Sequence, residues 1–252
     1  MAGIVSHRIR SGDTEVVVEV TEGAPPTVLW LGGFRSDMAG GKAMALADWA
    51  AGKGRRCVRF DYRGHGVSGG AFEDHVVSDW LRDAETVYGA FCEPGTIAVG
   101  SSMGGWIALL MARRLLDAGT PLGGLVLVAP AADFTERLMW PRFSDEMREA
   151  VLRDGRADVP SDYGDPYPVT RRLFEDGRDL LLYGEEPIRT GCPVHILQGV
   201  EDPDVPYTHV LELVERLAQD DVVLTLIKDG DHRLSREGDI ARLLAAVDGI
   251  AD

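Results

Sequence analysis

The sequence predicts an α/β fold: a mostly parallel central sheet, helices on both faces, and a helical cap insertion. Three observations support this prediction. Short apolar runs alternate with segments of helical period, as in consecutive β-α-β units. Several runs, such as Gly124–Ala129, are apolar at nearly every position, which is typical of strands covered on both faces. The alternation stops between about residues 133 and 190, where charged, proline and aromatic residues accumulate.

The individual elements follow from these runs in chain order. The predicted strands are Val16–Val20, Thr27–Leu31, Arg56–Phe60, Thr96–Val99, Gly124–Ala129, Val194–Gln198 and Val222–Ile227. The predicted helices cover Ala43–Ala50, Ser78–Phe91, Trp106–Leu116, Tyr207–Leu217 and Ile240–Val247. We therefore expect one domain over residues 1–252, with a cap or lid insertion at about 133–190. In such folds the reactive groups lie at the carboxyl ends of the strands.

The composition excludes several classes of function. A formal net charge of −15 disfavours nucleic acid as a partner, because phosphate binding requires an excess of Lys and Arg. No apolar stretch is long enough to span a bilayer. Cys57, Cys92 and Cys192 have no paired spacing and the chain starts without a signal-peptide pattern, which predicts reduced thiols and a cytoplasmic location. We expect no metal and no cofactor, since the spacings that bind them do not occur. No feature indicates an oligomeric state.

The strongest chemical signal is the segment Gly100-Ser101-Ser102-Met103-Gly104, which matches Gly-x-Ser-x-Gly. It follows a predicted strand and precedes a predicted buried helix, which is the setting of a nucleophilic serine on a tight strand-to-helix turn. Neighbouring side chains would collide in such a turn, so the positions two before and two after the serine must be small. Ser102 meets this condition, whereas the adjacent Ser101 does not. We therefore predict Ser102 as the nucleophile.

A serine hydroxyl needs a base, usually a histidine that a carboxylate orients. The expected chain order is serine, acid, histidine, and only three histidines follow Ser102. His232 lies in a turn-rich loop after the last strand and is the predicted base. His195 lies inside an apolar strand, where a hydrogen-bonded core histidine is expected. His209 lies on a helix, where we expect a solvated position.

The acid is expected in the loop that follows the strand Val194–Gln198. Three carboxylates compete there: Glu201, Asp202 and Asp204. Asp202, three residues after Gly199, fits best and is the predicted acid. Asp204 is the second choice, with a helix-capping role as its alternative. Asp231, beside the predicted base, is expected to form a turn.

Acyl transfer also requires backbone N–H groups that stabilise an oxyanion. One is expected from Met103, the residue after the nucleophile, and one from the loop Leu31–Ser36. Phe34 is the predicted donor in that loop, with Gly33 and Arg35 as alternatives. His65 in the loop Arg63–Ser68 is expected to support the wall of the cleft. Aromatic residues of the insertion could line a substrate pocket or form a small core of their own; the pocket candidates are Trp140, Phe143 and Tyr167.

The residues above resemble the α/β-hydrolase superfamily over nearly the full length, except in the insertion. More narrowly, the chain is similar to the acyl-protein thioesterase and acyl-glucuronide esterase branch, which includes mitochondrial depalmitoylating enzymes. The matching segments are Gly33–Met38 with Gly41–Ala43, Phe60–Ser68, Gly100–Trp106 and Gly230–Ser235. The resemblance implies hydrolysis of acyl esters or thioesters, and it puts Ser102, Asp202 and His232 at the triad positions. It differs at Gly32-Gly33, where many relatives have His-Gly or Pro-Gly.

Together these observations predict a serine hydrolase that forms an acyl-enzyme intermediate and acts on a small-molecule or acylated-protein substrate. A proline-specific aminopeptidase is an alternative, since it uses the same Gly-x-Ser-x-Gly-Gly pattern and needs an acidic anchor for a substrate amine. A non-catalytic module that binds a ligand in the cleft is a second alternative, because fold does not determine function. The presence of all three predicted triad residues disfavours it.

Overall fold

The computed structural model describes residues 3–161, 164–184, 186–217 and 220–251, with backbone only at positions 161, 164 and 165. The strands are β1 (Ile4–Ser11), β2 (Thr14–Thr21), β3 (Ala24–Leu31), β4 (Arg55–Phe60), β5 (Ile97–Ser101), β6 (Gly124–Val128), β7 (Arg156–Ser161), β8 (Gly164–Thr170), β9 (Val194–Gly199) and β10 (Val222–Ile227). The helices are α1 (Gly41–Lys53), α2 (Val77–Phe91), α3 (Met103–Asp117), α4 (Asp145–Asp154), α5 (Arg171–Arg178), α6 (Tyr207–Arg216) and α7 (Glu237–Ala251).

Eight strands form the central sheet, in the order β1-β2-β4-β3-β5-β6-β9-β10. The pairs β1–β2 and β2–β4 are antiparallel. The remaining neighbours in this sheet, β4-β3-β5-β6-β9-β10, run parallel. Since parallel strands point the same way, β3, β5, β6 and β9 all end at one edge of the sheet. The loops after these strands therefore meet there.

Alternate residues of the central strands pack into two separate cores. Leu29 and Leu31 of β3 belong to the core that includes residues of α2, α3 and α6, whereas Val28 and Trp30 belong to the core of α1 and α7. The same alternation recurs in β5 and β6. This two-sided burial explains why these strands are apolar at nearly every position. It confirms the predicted mostly parallel sheet with helices on both faces.

The segment between β6 and β9 leaves the sheet and contains α4, α5 and a short antiparallel pair, β7–β8. The sequence analysis predicted a helical insertion here, so it missed this strand pair. Asp133 closes the base of the segment, because its carboxylate accepts hydrogen bonds from the N–H groups of Leu182 and Tyr183, both at 2.8 Å. Burial raises the pKa of Asp133 above its usual value. Ser78 at the start of α2 donates to Asp176 of α5, which ties the segment to the main body.

The predicted strands and helices of the main body are confirmed with boundaries shifted by a few residues. Strand β1 was missed by the sequence analysis. Among the described strands it lies at the edge of the sheet, where it pairs with β2 alone, and residues 3–6 are exposed, so it lacks the apolar run of a covered strand. Polar residues interrupt it, and only the pairing with β2 defines it as a strand.

Candidate active site

Ser102 lies between β5 and α3, at the carboxyl edge of the sheet. Its φ of 54° lies in the left-handed region, which is uncommon for a residue with a side chain. The strained turn is held on both sides: the Ser102 N–H donates to the carbonyl of Val128 at 2.9 Å, and its carbonyl accepts from Gly105 and Ala131. The turn lifts the Ser102 hydroxyl out of the sheet toward the loops that follow neighbouring strands.

The two glycines of the motif are required by close backbone contacts. A Cβ on Gly104 would lie 2.0 Å from the carbonyl oxygen of Leu31, and one on Gly100 would lie 2.4 Å from the carbonyl oxygen of Gly104. Both distances are far inside van der Waals contact. Small residues are required at these positions, as predicted, but the clash is with backbone carbonyl oxygens of β3 and α3 and not with neighbouring side chains.

Three side chains from three loops form one hydrogen-bonded chain. The Nε2 atom of His232 lies 3.1 Å from the Oγ of Ser102, and its Nδ1 atom lies 2.8 Å from an Oδ atom of Asp202. Ser102 follows β5, Asp202 follows β9, and His232 follows β10. If Nδ1 carries the proton, Nε2 can accept the hydroxyl proton of Ser102. This arrangement can activate the serine as a nucleophile.

Asp202 is fixed by further hydrogen bonds. One carboxylate oxygen accepts from the N–H groups of Asp204 and Val205, both at 2.8 Å. The other accepts from the side-chain amide of Gln198 at 3.2 Å as well as facing His232. Gln198 is fully buried in β9 and was missed by the sequence analysis, because a single polar residue at a strand end gives no sign of its partner.

The other carboxylates near Asp202 and His232 do not accept a hydrogen bond from His232 in the contacts described. Glu201 is exposed, and its N–H donates to the carbonyl of Gly230 in the loop that carries His232. Asp204 contributes its N–H to Asp202, and α6 starts without a side-chain cap, so the proposed capping role of Asp204 is not observed. Asp231 accepts from the N–H of Leu234, which confirms the predicted turn.

The loop after β3 lies directly against Ser102. A Cβ on Gly33 would stand 3.4 Å from the Cβ of Ser102. The N–H of Arg35 donates to Nε2 of His65 at 3.1 Å, and the N–H of Ser36 donates to the carbonyl of Gly33. Within the described residues, the N–H of Phe34 has no hydrogen-bond partner. The engaged amide of Arg35 makes it the weakest of the three predicted oxyanion donors.

The N–H of Met103 is the second predicted donor. Met103 is the first residue of α3, and the first N–H groups of a helix have no partner within the helix. The partial positive charge at a helix N-terminus also favours an anion there. The start of α3 is therefore suited to stabilise negative charge next to Ser102.

His65 is buried, with 4% of its surface exposed, which confirms the predicted supporting position. Its Nδ1 atom lies 3.1 Å from the carbonyl oxygen of Arg63, so Nδ1 is the donor and Nε2 accepts from Arg35. Burial lowers the pKa of His65 from 6.5 to about 4. The loop that carries it also includes Asp61, whose carboxylate accepts from the N–H of Met38 at 2.7 Å.

The two other histidines differ in outcome. His195 is half-buried, and its Nε2 atom lies 2.9 Å from the hydroxyl of Thr225, as expected for a hydrogen-bonded histidine of the core. The expectation of a solvated His209 is wrong. Only 8% of it is exposed, and its Nε2 atom lies 3.0 Å from the carbonyl oxygen of Ala132. Burial lowers its pKa to about 4. The expectation failed because the segment after β6 covers the face of α6 that carries His209, and a position on a helix does not reveal such a contact.

The buried neutral histidines predict a loss of stability in acid. Their folded-state pKa lies below the unfolded value of 6.5, so the unfolded chain binds protons first as the pH falls. Stability should decline from about pH 6.5 to about pH 4, each histidine contributing up to about 1.4 kcal/mol per pH unit. In chemical denaturation across this range, His209→Gln, which keeps a donor for Ala132, should give a shallower decline than wild type. Equal slopes would contradict the assignment.

The three predicted pocket residues are not brought together. Tyr167 lies beside the Phe34 loop, with ring centroids 5.7 Å apart, and the Arg35 guanidinium stacks over its ring at 4.7 Å. Trp140 and Phe143 instead pack on each other and on Phe174, at 5.0 to 5.9 Å. Phe143 and Phe174 belong to the hydrophobic core that includes residues of α2 and α3, and Trp140 packs against it. Packing inside a core, and not lining a pocket, was the alternative that the sequence analysis left open.

A metal ion could find ligand atoms at one place in the described part of the chain. One side-chain ligand atom from each of Asp202, Asp204 and His232 lies within 4.8 Å of the others. However, Asp202 already accepts hydrogen bonds at both oxygens, and one of these is shared with His232. The donor set therefore fits the hydrogen-bonded chain better than it fits a cation.

Comparison with known proteins yields relatives over almost the whole chain. Human "Palmitoyl-protein thioesterase ABHD10, mitochondrial" is 30% identical over 92% of this chain and 74% of its own length. A solved structure from Agrobacterium vitis S4 is 47% identical, with a TM-score of 0.95, and covers 99% of this chain and 100% of that chain. Mouse alpha/beta hydrolase domain-containing protein 10 is 28% identical, with a TM-score of 0.86, over 99% of this chain and 98% of its own.

The predicted cytoplasmic location is wrong by this comparison. The curated relatives from human, Pongo abelii and mouse are named as mitochondrial proteins. The prediction depended on reduced thiols, and all three cysteines are indeed free. Free thiols are typical of every reducing compartment, so they do not distinguish the cytoplasm from another one.

In the described residues, no helix combines the length and the apolar character needed to cross a bilayer. A sequence model of the Alpha/beta hydrolase family matches residues 28–246, which include Ser102, Asp202 and His232. The match agrees with the sheet order, with the relatives in sequence and structure, and with the resemblance that the sequence indicated. The chain is therefore a hydrolase and belongs to the Alpha/beta hydrolase family.

Proposed function

We propose that this hydrolase cleaves acyl esters or thioesters through a Ser-His-Asp triad and an acyl-enzyme intermediate. The observation that carries the proposal is the unbroken hydrogen-bonded chain from Ser102 through His232 to Asp202, at 3.1 and 2.8 Å. The relatives named as palmitoyl-protein thioesterases support an acylated substrate. Since the two carbonyl compounds react by the same steps, an ester and a thioester differ only in the leaving group.

In the first step, the Oγ of Ser102 attacks the substrate carbonyl while Nε2 of His232 takes the hydroxyl proton. Asp202 holds the proton of His232 on Nδ1 and stabilises the imidazolium that forms. The tetrahedral intermediate collapses when His232 returns the proton to the leaving alcohol or thiol. Water then attacks the acyl-enzyme, with His232 again as the base, and releases the carboxylic acid and free Ser102.

Negative charge develops on the carbonyl oxygen in both steps. The N–H groups of Phe34 and Met103 are the proposed donors to this oxygen, because they flank Ser102 from the β3 loop and from the start of α3. Loss of one such donor typically costs about 10²- to 10³-fold in rate. Two donors would thus account for a large part of the rate enhancement.

We further propose that residues 133–190 act as a cap within a single catalytic domain. Arg142 of this segment donates to the carbonyl of Asp204 at 2.9 Å, next to the proposed acid. Tyr167 of the same segment packs on Phe34 at the other side of the cleft. Both contacts support a cap over Ser102, where an acyl chain or leaving group would lie. Tyr167 is the pocket candidate that this position supports.

The proposal is tested by paired p-nitrophenyl esters and acyl thioesters that share each acyl chain, from acetyl to palmitoyl. We expect turnover of at least one series, and the ratio between the series identifies the preferred leaving group. A fluorophosphonate probe should phosphonylate the Oγ of Ser102 with loss of fluoride, and mass spectrometry should locate the adduct there. Ser101→Ala is the matched control and should keep both turnover and labelling. A folded protein that hydrolyses neither series and is not labelled would contradict the proposal.

A further inference from the structure

The loop that carries the proposed oxyanion donor is held by a second loop, which contributes no proposed catalytic residue. Residues 61–68 follow β4, and two of their side chains accept N–H groups of the loop that contains Phe34. His65 accepts from Arg35 at 3.1 Å, and Asp61 accepts from Met38 at 2.7 Å. Both acceptors are nearly fully buried. The segment that follows Phe34 is thus fixed at two points.

The residue that donates to His65, Arg35, has an unfavourable backbone conformation. Arg35 has a φ of 58°, in the left-handed region that residues with a Cβ rarely adopt. A free Arg35 would relax toward negative φ and rotate the Phe34–Arg35 peptide. Phe34 shares that peptide, so we expect such a relaxation to shift Phe34, and with it its N–H, relative to Ser102. The hydrogen bond from Arg35 to His65 opposes this relaxation.

The acceptor role of His65 is set by the groups around it. The carbonyl of Arg63 accepts from Nδ1 of His65, which leaves Nε2 without a proton. That carbonyl also accepts from Nε1 of Trp80 at 3.2 Å. Arg63 is itself fixed by a buried ion pair with Asp83 at 2.7 Å. The rings of Tyr62, Phe72 and Trp80 lie 5.3 to 5.7 Å from the imidazole and hold its plane. The low pKa of His65, about 4, keeps it neutral as an acceptor near neutral pH.

We propose that His65 is a positioning residue for the oxyanion hole, which holds the Phe34 amide toward Ser102 through its hydrogen bond to the Arg35 N–H. The proposal depends on the proposed function, because it assumes acyl transfer at Ser102. His65 does not contact the substrate. Its effect should therefore fall on the transition state, where the carbonyl oxygen carries charge, and not on substrate binding.

The decisive variant is His65→Phe, which keeps an aromatic ring between Phe72 and Trp80 but removes the acceptor for Arg35. We expect kcat for a p-nitrophenyl ester to fall about 10- to 100-fold, less than or equal to the loss of a whole donor, with KM changed less than about threefold. His65→Gln is the conservative variant. Its side-chain oxygen can reach the position of Nε2, so it should recover most of the rate.

A thionoester, in which sulfur replaces the carbonyl oxygen, separates positioning from general damage. A thiolate is a poor acceptor for the Phe34 and Met103 amides, so its hydrolysis depends less on their placement. His65→Phe should therefore lose rate on the oxygen ester and lose little on the thionoester. The ratio of the oxygen-ester rate to the thionoester rate should fall about tenfold or more. His195→Phe, outside this loop, is the control and should leave the ratio unchanged.

Each outcome decides the proposal. A folded His65→Phe variant with an unchanged ratio would overturn the proposal. A His65→Gln variant that is as slow as His65→Phe and has the ratio of wild type would also overturn it. If His65→Phe does not fold by circular dichroism, a normal ratio in folded His65→Leu would overturn it equally. Turnover by wild type and labelling of Ser102 test the proposed function separately, so a failure of that function is distinguishable from a failure of the His65 proposal.

Discussion

Replacement of Ser102 by alanine should reduce kcat/KM for ester and thioester substrates by about 10⁴-fold or more. The reason is that Ser102 Oγ lies 3.1 Å from Nε2 of His232 and is the atom that would form the covalent intermediate. Without it, only water is left to attack the carbonyl directly, with help from the oxyanion donors. Stopped-flow release of p-nitrophenol should show the initial burst of an acyl-enzyme in wild type and no burst in the variant.

Ser101→Ala controls for this result, because Ser101 is the neighbouring hydroxyl at the end of β5 and is almost fully buried. It should leave both the burst and the steady-state rate close to wild type. The folded state of each variant is checked by thermal melting, since Ser102 occupies a turn with unfavourable φ. A Ser102→Ala protein that is folded and retains more than about a hundredth of the activity would show that another group is the nucleophile.

Asp202→Asn should reduce kcat by about 10⁴-fold at neutral pH while leaving the fold intact. The two N–H groups of Asp204 and Val205 both donate to one oxygen of Asp202. An asparagine would keep its oxygen on these donors, so its NH₂ group would face His232. Nδ1 of His232 would then have to accept, and its proton would move to Nε2. Nε2 would donate to Ser102 and could not take the hydroxyl proton.

The control for Asp202→Asn is Asp204→Asn, which makes the same change two residues away. The backbone N–H of Asp204 holds Asp202 and is unaffected by the substitution. We expect this variant to remain within about threefold of wild-type kcat, because the hydrogen bond between Asp202 and His232 and the backbone N–H donors to Asp202 stay in place. Chemical shifts of the His232 ring nitrogens, measured by ¹⁵N NMR, should report the changed tautomer in Asp202→Asn alone. Equal losses in both variants would contradict the assignment of Asp202 as the acid.

Several elements were predictable because their local sequence and their burial agree. The strands β3, β5 and β6 are apolar at almost every position since both faces of the parallel sheet are covered, and that burial leaves a direct trace in the sequence. The turn at Ser102 was predictable for a similar reason. Its backbone approaches β3 so closely that Gly104 cannot carry a side chain, so the constraint is written as a glycine at a fixed spacing.

Other features depend on contacts between distant segments and leave little local trace. The β7–β8 pair and the edge strand β1 are defined by pairing, not by apolar runs. The burial of His209 depends on the segment that follows β6, to which its side chain is bonded. Trp140 and Phe143 were equally compatible with a pocket and with a local core, and only their packing on Phe174 distinguishes the two.

The sequence by itself thus determined the family, the parallel sheet, and the turn at Ser102, together with candidates for the nucleophile, the acid and the base. The tertiary structure decided which of three neighbouring carboxylates is hydrogen-bonded to His232, which amide of the β3 loop is already engaged, and that His65 accepts that amide. The physical reason is a difference in range. Burial and backbone clashes act at each residue and restrict its identity, whereas the direction of a hydrogen bond depends on two chain segments that meet only after folding.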